Sequence, residues 1–420
     1  MRDSIRFLLN RLRERLWVKP LAVCLLSILA AFIARIVDHP QFAPYVPDIT
    51  QSSLKDLLTI ISSSMLVIAT FSVASMVSAY ATAGSVATPR SFSLIVADDV
   101  SQNALSTFIG AFIFSIVALV ALTNGYYGKP GRFALFLITI LVFAIVIFTF
   151  LRWVDRIARL GRLGTTADKI EAAAADALRR RKLAPRLGGA PVPEAAGQGE
   201  AVYGETVGYV QRINMAQLQA AAENAETNVE VAALPGTFAA PGRVLAYVCP
   251  GTDPGKPVNL GRVRAAFLIG GDRTFDDDPR FGLVALSEIA SRALSPAVND
   301  PGTAIDIIGT FVRLFTAWAA TPDSDEPLAL AYERVHVPEL LLDDLFDDAF
   351  NAISRDGAGM LEVATRLQKA FESLAATGNP EMERVAIEHA LRALTHSEQS
   401  LKSPFEIKTL RLAAKLCTEE

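Results

Sequence analysis

The stretch LKDLLTIISSSMLVIATFSVASMVSAYATA, residues 54–83, decides the fold of this chain. Its two charged residues, Lys55 and Asp56, stand at its start, and every later residue is apolar or carries a hydroxyl. A helix of about 30 residues is about 45 Å long, whereas the hydrocarbon core of a bilayer is about 30 Å thick. The sequence therefore predicts a transmembrane helix that tilts, kinks or projects beyond the bilayer.

Three further segments, residues 20–37, 104–122 and 133–151, are apolar over about the 20 residues that a spanning helix needs. The composition agrees, because 51% of the 420 residues are hydrophobic and 20% are charged, whereas a soluble domain is about one quarter charged. The first segment lacks a small-residue cleavage site and is soon followed by another span, which is not typical of a signal peptide. We predict a transmembrane domain of four spans within residues 1–160.

Lysine and arginine flank the predicted spans unevenly. Those next to the first and fourth spans are Arg2, Arg6, Arg11, Arg13, Arg15, Lys19, Arg152, Arg156, Arg159 and Arg162. The loop of residues 38–53 contains neither residue type. Because basic residues in short loops stay in the cytoplasm, we expect both termini there and the protein in a bacterial inner membrane.

Hydroxyl side chains follow the second span along its length. The candidates for lining a pore are Thr70, Ser72, Ser75, Ser78, Thr82 and Ser85. One interpretation is a tightly packed contact between helices, since hydroxyls bond their own helix carbonyls and small residues allow close approach. The other is a hydroxyl-lined aqueous path at the axis of a homo-oligomer. No carboxylate, histidine or lysine lies deep within the spans, which disfavours a proton-coupled carrier.

The sequence after the fourth span predicts a cytoplasmic α+β domain. Residues 161–200 have the pattern of a helical extension and a linker rich in Gly, Pro and Ala, and residues 201–270 form a small β-rich module. Its predicted strands are TVGYVQRI, TNVEVAAL and GRVLAYV. Residues 271–420 have mainly helical periodicity. The predicted fold class is thus a membrane α-helical domain followed by this α+β domain.

The segment SPAVNDPGTA, residues 295–304, interrupts the helical pattern. Asp300 is placed to cap the following helix, and Pro301 suits its first position. The same geometry suggests an alternative, because a helix N-terminus attracts anions. The ligand-binding candidates under this alternative are Arg292, Ser295, Asn299, Asp300 and Thr303.

The remaining polar groups give no sign of catalysis. The acidic run of residues 276–278 lacks the spacing of a calcium loop, so we expect a solvated turn. Four aspartates of residues 343–348 have the helical spacing of an exposed face. The four histidines and three cysteines form no metal motif, and nucleotide-binding and nucleophile motifs are absent from the sequence. We predict no enzyme, no cofactor and, at a net charge of −4, no nucleic-acid partner.

Three stretches resemble a known family. They are FSVASMVSAYATAGSVATPRSFSLIVADDVSQNALSTFIGAFIFS (residues 71–115), GGDRTFDDDPRFG (270–282) and ALSPAVNDPGTA (293–304). Together they are similar to a bacterial family of predicted multi-pass membrane proteins that carries a domain-of-unknown-function label. The resemblance extends over nearly the whole chain. It implies an inner-membrane protein with a cytoplasmic domain, and it brings no reaction or catalytic residues.

Two functions of different classes agree with these patterns. The first is a homo-oligomeric pore or ion channel that the second span lines and the cytoplasmic domain gates. The second is a membrane-anchored sensor or scaffold whose cytoplasmic domain binds a ligand or a protein. The expected partners are the lipid bilayer, further copies of the chain and a small anion or ion.

Overall fold

A computed structural model of the full chain gives the structure. The residues that it describes are 17–36, 38–39, 41, 44–86, 88–91, 99–159, 163–194, 197–250, 258–320 and 330–417. The chain divides into two compact units, residues 1–166 and residues 167–420. We call them the N-terminal unit and the C-terminal unit.

Four helices of the N-terminal unit are long and apolar enough to cross a membrane, which confirms the prediction of four apolar helices. They are α1 (Val18–Ile36), α2 (Gln51–Val86), α3 (Asp99–Thr123) and α4 (Lys129–Arg159). The second helix has 36 residues, which corresponds to about 54 Å. It is therefore longer than the hydrocarbon core of a bilayer, as the sequence predicts.

Helix α3 packs against α1, α2 and α4. A Cβ atom on Gly110 of α3 would lie 2.5 Å from Cγ1 of Val23 in α1, so the two backbones approach closely where the side chain is absent. Helix α2 buries one side, which includes Leu58, Ile61 and Met65. These residues recur every three or four positions, as expected for a helix with one packed face.

The C-terminal unit begins within a helix, whose first four residues belong to the N-terminal unit, and continues with a region rich in short strands. Its helices here are α5 (Leu163–Leu183), α6 (Met215–Asn224) and α7 (Leu260–Ala265). Its strands are β1 (Gly189–Ala190), β2 (Glu200–Tyr203), β3 (Gly208–Ile213), β4 (Val229–Val231), β5 (Phe238–Ala239), β6 (Val244–Val248), β7 (Phe267–Gly270) and β8 (Tyr332–His336). The three strands predicted from the sequence correspond to β3, β4 and β6.

The strands form two sheets. The first has five strands in the order β1-β8-β4-β6-β2, and the second has three in the order β5-β3-β7. Strand β8 runs parallel to both of its neighbours, whereas the other pairs are antiparallel. Apolar side chains such as Val229, Leu245 and Val335 are fully buried in the core of this module. The module therefore depends on β8, which comes from the part of the chain predicted to be helical.

The rest of the C-terminal unit is helical. Its helices are α8 (Pro279–Ala293), α9 (Pro301–Ala319), α10 (Leu342–Asp356), α11 (Leu361–Ala375), α12 (Pro380–Ser400) and α13 (Pro404–Ala413). Four of these six begin with proline, whose fixed φ and missing N–H suit the first position of a helix. Phe315, Phe346, Phe350 and Phe371 form its aromatic core, with ring centroids 4.5–6.5 Å apart.

His389 of α12 is buried beside this aromatic core, with 4% of its surface exposed. Burial, supported by the charge of Arg392, lowers its pKa from 6.5 to about 4. The unfolded chain therefore binds the proton more tightly than the folded protein. Below pH 6.5 this difference lowers the free energy of unfolding, and the loss reaches about 3 kcal/mol at pH 4.

We expect His389→Gln to lose less stability than the wild type on acidification. Denaturant unfolding of the full-length protein at pH 7 and pH 4, in detergent, measures the difference. His396→Gln, a substitution two helical turns further along the same helix, is the matched control and should retain the wild-type pH dependence. Equal acid losses in the wild type and His389→Gln would contradict the prediction.

Candidate functional site

One side of α2 faces away from the packed core of the N-terminal unit. Its residues recur at helical spacing, and those that are exposed are Ser52, Asp56, Thr59, Ile60, Ser63, Val67, Thr70, Ala74, Val77, Ser78 and Ala81. We call this set the outward stripe. It consists of one carboxylate, five hydroxyls, one isoleucine, two valines and two alanines. Its polarity is unusual for a surface that would otherwise contact only lipid.

Three of the five hydroxyls of the outward stripe donate to carbonyls of their own helix. Thr59 Oγ1 donates to the carbonyl of Lys55 at 2.7 Å, and Thr70 Oγ1 donates to that of Leu66 at 2.9 Å. Ser63 Oγ lies 3.0 Å from the carbonyl of Thr59 in the same arrangement. Because each hydroxyl has a single hydrogen, these bonds leave the oxygen lone pairs as acceptors. The stripe therefore presents acceptors, which suit water and cations.

The exposed sides of α1 and α4 are different. They present large apolar residues, among them Leu26 (63% exposed), Leu141 (60%) and Phe148 (67%). Such surfaces are typical of contact with lipid chains. On α2, similar residues flank the outward stripe, with Phe71 on one side and Leu66 on the other. The stripe is thus a narrow polar band between apolar borders.

The pore-lining candidates do not all lie on the outward stripe. Thr70 and Ser78 belong to the outward stripe, and Ser75 is half-buried beside it. Ser72 is buried with 0% exposed, because two residues after Thr70 the helix has turned by about 200°. It therefore does not belong to the stripe. The side chains of the other two candidates, at positions 82 and 85, lie outside the described residues.

The pore-lining candidates predicted from the sequence do not include Thr59, Ser63 and Asp56, although all three lie on the outward stripe. Their helical spacing relative to Thr70 was a usable signal. What the pattern alone did not decide was which face of α2 packs inside the unit. The buried positions, with Met65 and Met76 among them, settle that question.

The second predicted site, between α8 and α9, is a capped helix start. The carboxylate of Asp300 accepts the N–H of Thr303 at 3.1 Å and its hydroxyl at 2.6 Å. These hydrogen bonds lower the pKa of Asp300. Ser295 Oγ donates to the carbonyl of Arg292 at 2.7 Å, and Asn299 has a left-handed φ of 49°. The predicted cap is confirmed, and its carboxylate occupies the position that a bound anion would take; anion binding stays a prediction.

The expectation of a solvated turn is wrong for Asp278. This residue is 1% exposed and caps α8, since its Oδ1 accepts the N–H of Arg280 at 3.1 Å. Arg273 binds both carboxylate oxygens, at 2.7 and 3.0 Å. Burial raises the pKa of Asp278, and the hydrogen bonds from Arg273 oppose that shift. Asp278 is therefore a structural anchor of α8.

The aspartates of α10 have basic partners in their own chain. Arg280 pairs with Asp344 and Asp348, and Arg384 pairs with Asp343 at 2.7 Å. These pairs join α10 to α8 and α12, so this face of α10 contacts other helices of the C-terminal unit. Among the described residues, no group of three or more histidine, cysteine or acidic side chains is placed to hold a metal ion.

The four apolar helices and the family comparison define the class of the protein. It is a predicted membrane protein of the multi-pass type. Residues 13–373 match the family described as "Predicted membrane protein (DUF2254)", and the chain belongs to that family.

Relatives with similar sequences come from mycobacteria. They include an uncharacterized protein of Mycobacterium bovis (Mb1321c) and one of Mycobacterium tuberculosis H37Rv (Rv1290c), each 34% identical to the chain over 121 residues. The matched stretch covers 28% of this chain and 23% of each relative. No solved structure matches the chain.

Proposed function

We propose that the protein is a homo-oligomeric pore of the bacterial inner membrane, with the outward stripe of α2 lining its path. Both termini and the C-terminal unit lie in the cytoplasm in this proposal, as the distribution of basic residues suggests. The C-terminal unit would then gate the path.

The polarity of the outward stripe carries the proposal. Four closely packed helices leave no lumen, so a path requires several copies of the chain. Each copy has a narrow band on the exposed side of α2 in which hydroxyls alternate with alanine and β-branched apolar residues. The apolar residues beside this band, such as Leu66 and Phe71, are available for contact with neighbouring copies. A ring of α2 helices would then bring the hydroxyls together at the axis.

The chemistry of the stripe favours cations. The hydroxyls of Thr59, Ser63 and Thr70 donate to helix carbonyls, so only their lone pairs face the path. Asp56 lies on the same stripe, about one turn before Thr59 and about two turns before Ser63, and an oligomer would hold a ring of these carboxylates. Rings of acidic side chains attract cations at the mouths of channels. We therefore propose a weakly selective cation path.

Cysteine cross-linking tests where α2 lies in the assembly. Thr70→Cys is introduced after replacement of Cys24, Cys249 and Cys417 by serine, and membranes are treated with a flexible bifunctional maleimide. We expect Thr70→Cys to form cross-linked oligomers. Phe148→Cys is the matched control, because Phe148 lies on the exposed side of α4 and is 67% exposed in one protomer. This variant should remain largely monomeric. Cross-linking of Phe148→Cys alone would contradict the proposed axis.

Labelling of the same variants separates a wet path from a packed contact between helices. Thiols react as thiolates, which require water around them. We expect a charged, water-soluble thiol reagent to modify Thr70→Cys in the assembled protein and to leave Phe148→Cys unmodified. A Thr70→Cys that neither the maleimide nor the charged reagent modifies would instead support the membrane-anchored sensor or scaffold, in which the bundle is dry.

A further inference from the structure

Helix α13 has apolar side chains on two of its sides. Leu410 is fully buried and packs with Leu401 and Ala364, so this side attaches the helix to the rest of the C-terminal unit. On the other side, Phe405 is 75% exposed and Leu412 is 74% exposed. Among the described residues of the C-terminal unit, no other large apolar side chain is exposed to this extent. Packing within the unit therefore does not account for Phe405 and Leu412.

Basic residues surround these two apolar side chains. Leu412 follows Phe405 by about two helical turns, and the exposed Lys408 lies between them on the same side. The residues Lys402, Arg411 and Lys415 are exposed as well. The acidic residue of this helix, Glu406, is half-buried and lies about 100° around the helix from Phe405. We call Lys402, Phe405, Lys408, Arg411, Leu412 and Lys415 the basic face.

The described part of the chain neutralises only some of the charge on the basic face. Arg411 and Lys415 pair with glutamates of α12 and α11, at 2.5 and 2.9 Å. For Lys402 and Lys408, the described residues supply no ion pair. The glutamates at positions 419 and 420 lie outside the described residues. The basic face thus has an ammonium on either side of its exposed phenylalanine, and both ammonium groups are available to an anionic partner.

We propose that the basic face docks on a bilayer surface that contains anionic lipid. Phe405 and Leu412 would enter the boundary between headgroups and acyl chains, as the apolar side of an interfacial helix does. The long stems of Lys402 and Lys408 would let their ammonium groups reach the lipid phosphates. Because the four apolar helices would hold each copy of the chain in a membrane, this surface is present at high effective concentration. The docking does not depend on the conduction proposal, since a dry bundle would also hold the chain at a bilayer.

Charge complementarity favours lipid over a second copy of the chain as the occupant of the basic face. A second copy would have to present acidic side chains beside an apolar surface. The four aspartates of α10 would be suitable, but they pair with arginines of their own chain. An anionic bilayer presents phosphates directly above an apolar interior, which matches lysines beside phenylalanine and leucine.

Fluorescence quenching by lipid tests the docking in the full-length protein. In the variant whose three cysteines are replaced by serine, Thr409→Cys at the edge of the basic face carries a nitrobenzoxadiazole fluorophore. The protein is placed in nanodiscs of phosphatidylcholine, alone or mixed with phosphatidylglycerol, that contain a nitroxide-labelled lipid as quencher. We expect quenching that is several times stronger with phosphatidylglycerol and that high salt reduces, because salt screens the lipid charge.

A second label position and two further outcomes make this test decisive. Glu383→Cys is the matched position, because Glu383 is exposed and lies at the far end of α12, about 25 Å along the helix from the end near α13. Its fluorophore should be quenched weakly in both lipids. Equal quenching at the two positions, equal quenching of Thr409→Cys in the two lipids, or no quenching of Thr409→Cys would each overturn the proposal. A fluorescence shift that needs only a higher protein concentration in detergent would show that a second copy covers the face, which also overturns it.

Substitutions of the lysines assign the docking to the basic face. The double variant Lys402→Gln and Lys408→Gln should dock about thirtyfold more weakly, as expected for the loss of two basic residues at an anionic surface. Its quenching should then fall to the level found with phosphatidylcholine alone. The matched control, Arg243→Gln with Arg262→Gln, removes two exposed cations of the strand-rich region and should be quenched like the wild type. Equal quenching of the two double variants would overturn the assignment to the basic face.

Substitutions of the apolar pair test whether the helix enters the bilayer surface. Phe405→Ser with Leu412→Ser keeps every charge and should also lose most of the quenching in the anionic nanodiscs. Because both side chains are about three quarters exposed, the variant should unfold at the denaturant concentration of the wild type, which shows that the fold is intact. Undiminished quenching in this variant would show that the helix is held at the headgroups by charge alone, and it would overturn the proposed insertion.

Discussion

Replacing Asp278 by alanine is expected to lower the free energy of unfolding of the C-terminal unit by about 3–5 kcal/mol. The carboxylate is 1% exposed, and it binds Arg273 through two hydrogen bonds of 2.7 and 3.0 Å. Its removal leaves the guanidinium of Arg273, only 16% exposed, without this partner. It also removes the cap of α8, which accepts the N–H of Arg280. Both losses act on the same helix.

Denaturant unfolding of the full-length protein in detergent, followed by far-ultraviolet circular dichroism, measures this loss. Asp272→Ala is the matched control, because this aspartate is in the same segment and its side chain is exposed. It should change the stability by less than about 0.5 kcal/mol. Similar stabilities of the two variants would show that the pair between Asp278 and Arg273 does not anchor α8.

Much of the helical architecture can be predicted from the sequence. The four apolar helices follow from length and composition, because a bilayer sets both. The helix starts after Asp300 and Asn379 follow from a capping residue before proline. Asp278 before Pro279 has the same pattern. The expectation of a solvated turn is wrong at Asp278 because the proline that follows makes it the cap of α8, which the acidic run alone does not indicate.

The sheet and the candidate sites are harder to predict. Strand β8 pairs with β1 and β4, which lie more than 100 residues earlier in the chain, and no local pattern specifies such partners. Likewise, Ser72 and Thr70 are both hydroxyl residues of α2, and only the packing of the helix decides which one is buried. The burial of Arg181, which is 3% exposed, could be predicted from the sequence, because Arg181 continues the apolar spacing of α5. The partners of its guanidinium depend on the tertiary structure and could not be predicted.

Replacing Thr70 by tryptophan is expected to reduce cation flux through the reconstituted protein by about tenfold or more, because a bulky apolar ring at the axis narrows and dewets a path. Thr70 is exposed on the outward stripe and donates to its own helix at 2.9 Å. The substitution therefore adds volume on the exposed side and leaves the packed side of α2 unchanged. Potassium efflux from liposomes, measured with an ion electrode, reports the change.

Two control variants make the result specific to the path, and a third variant tests the selectivity of the path for cations. Phe148→Trp changes an exposed side chain on α4 and should keep the wild-type flux. Ser72→Ala removes a buried hydroxyl that has no hydrogen-bond partner among the described residues, so it should also keep the flux. Asp56→Asn should keep flux but lower the preference for potassium over chloride, since it neutralises the carboxylates at one end of the stripe. Equal flux in Thr70→Trp and Phe148→Trp would contradict the assignment of α2 to the pore and leave the outward stripe as a contact surface between helices.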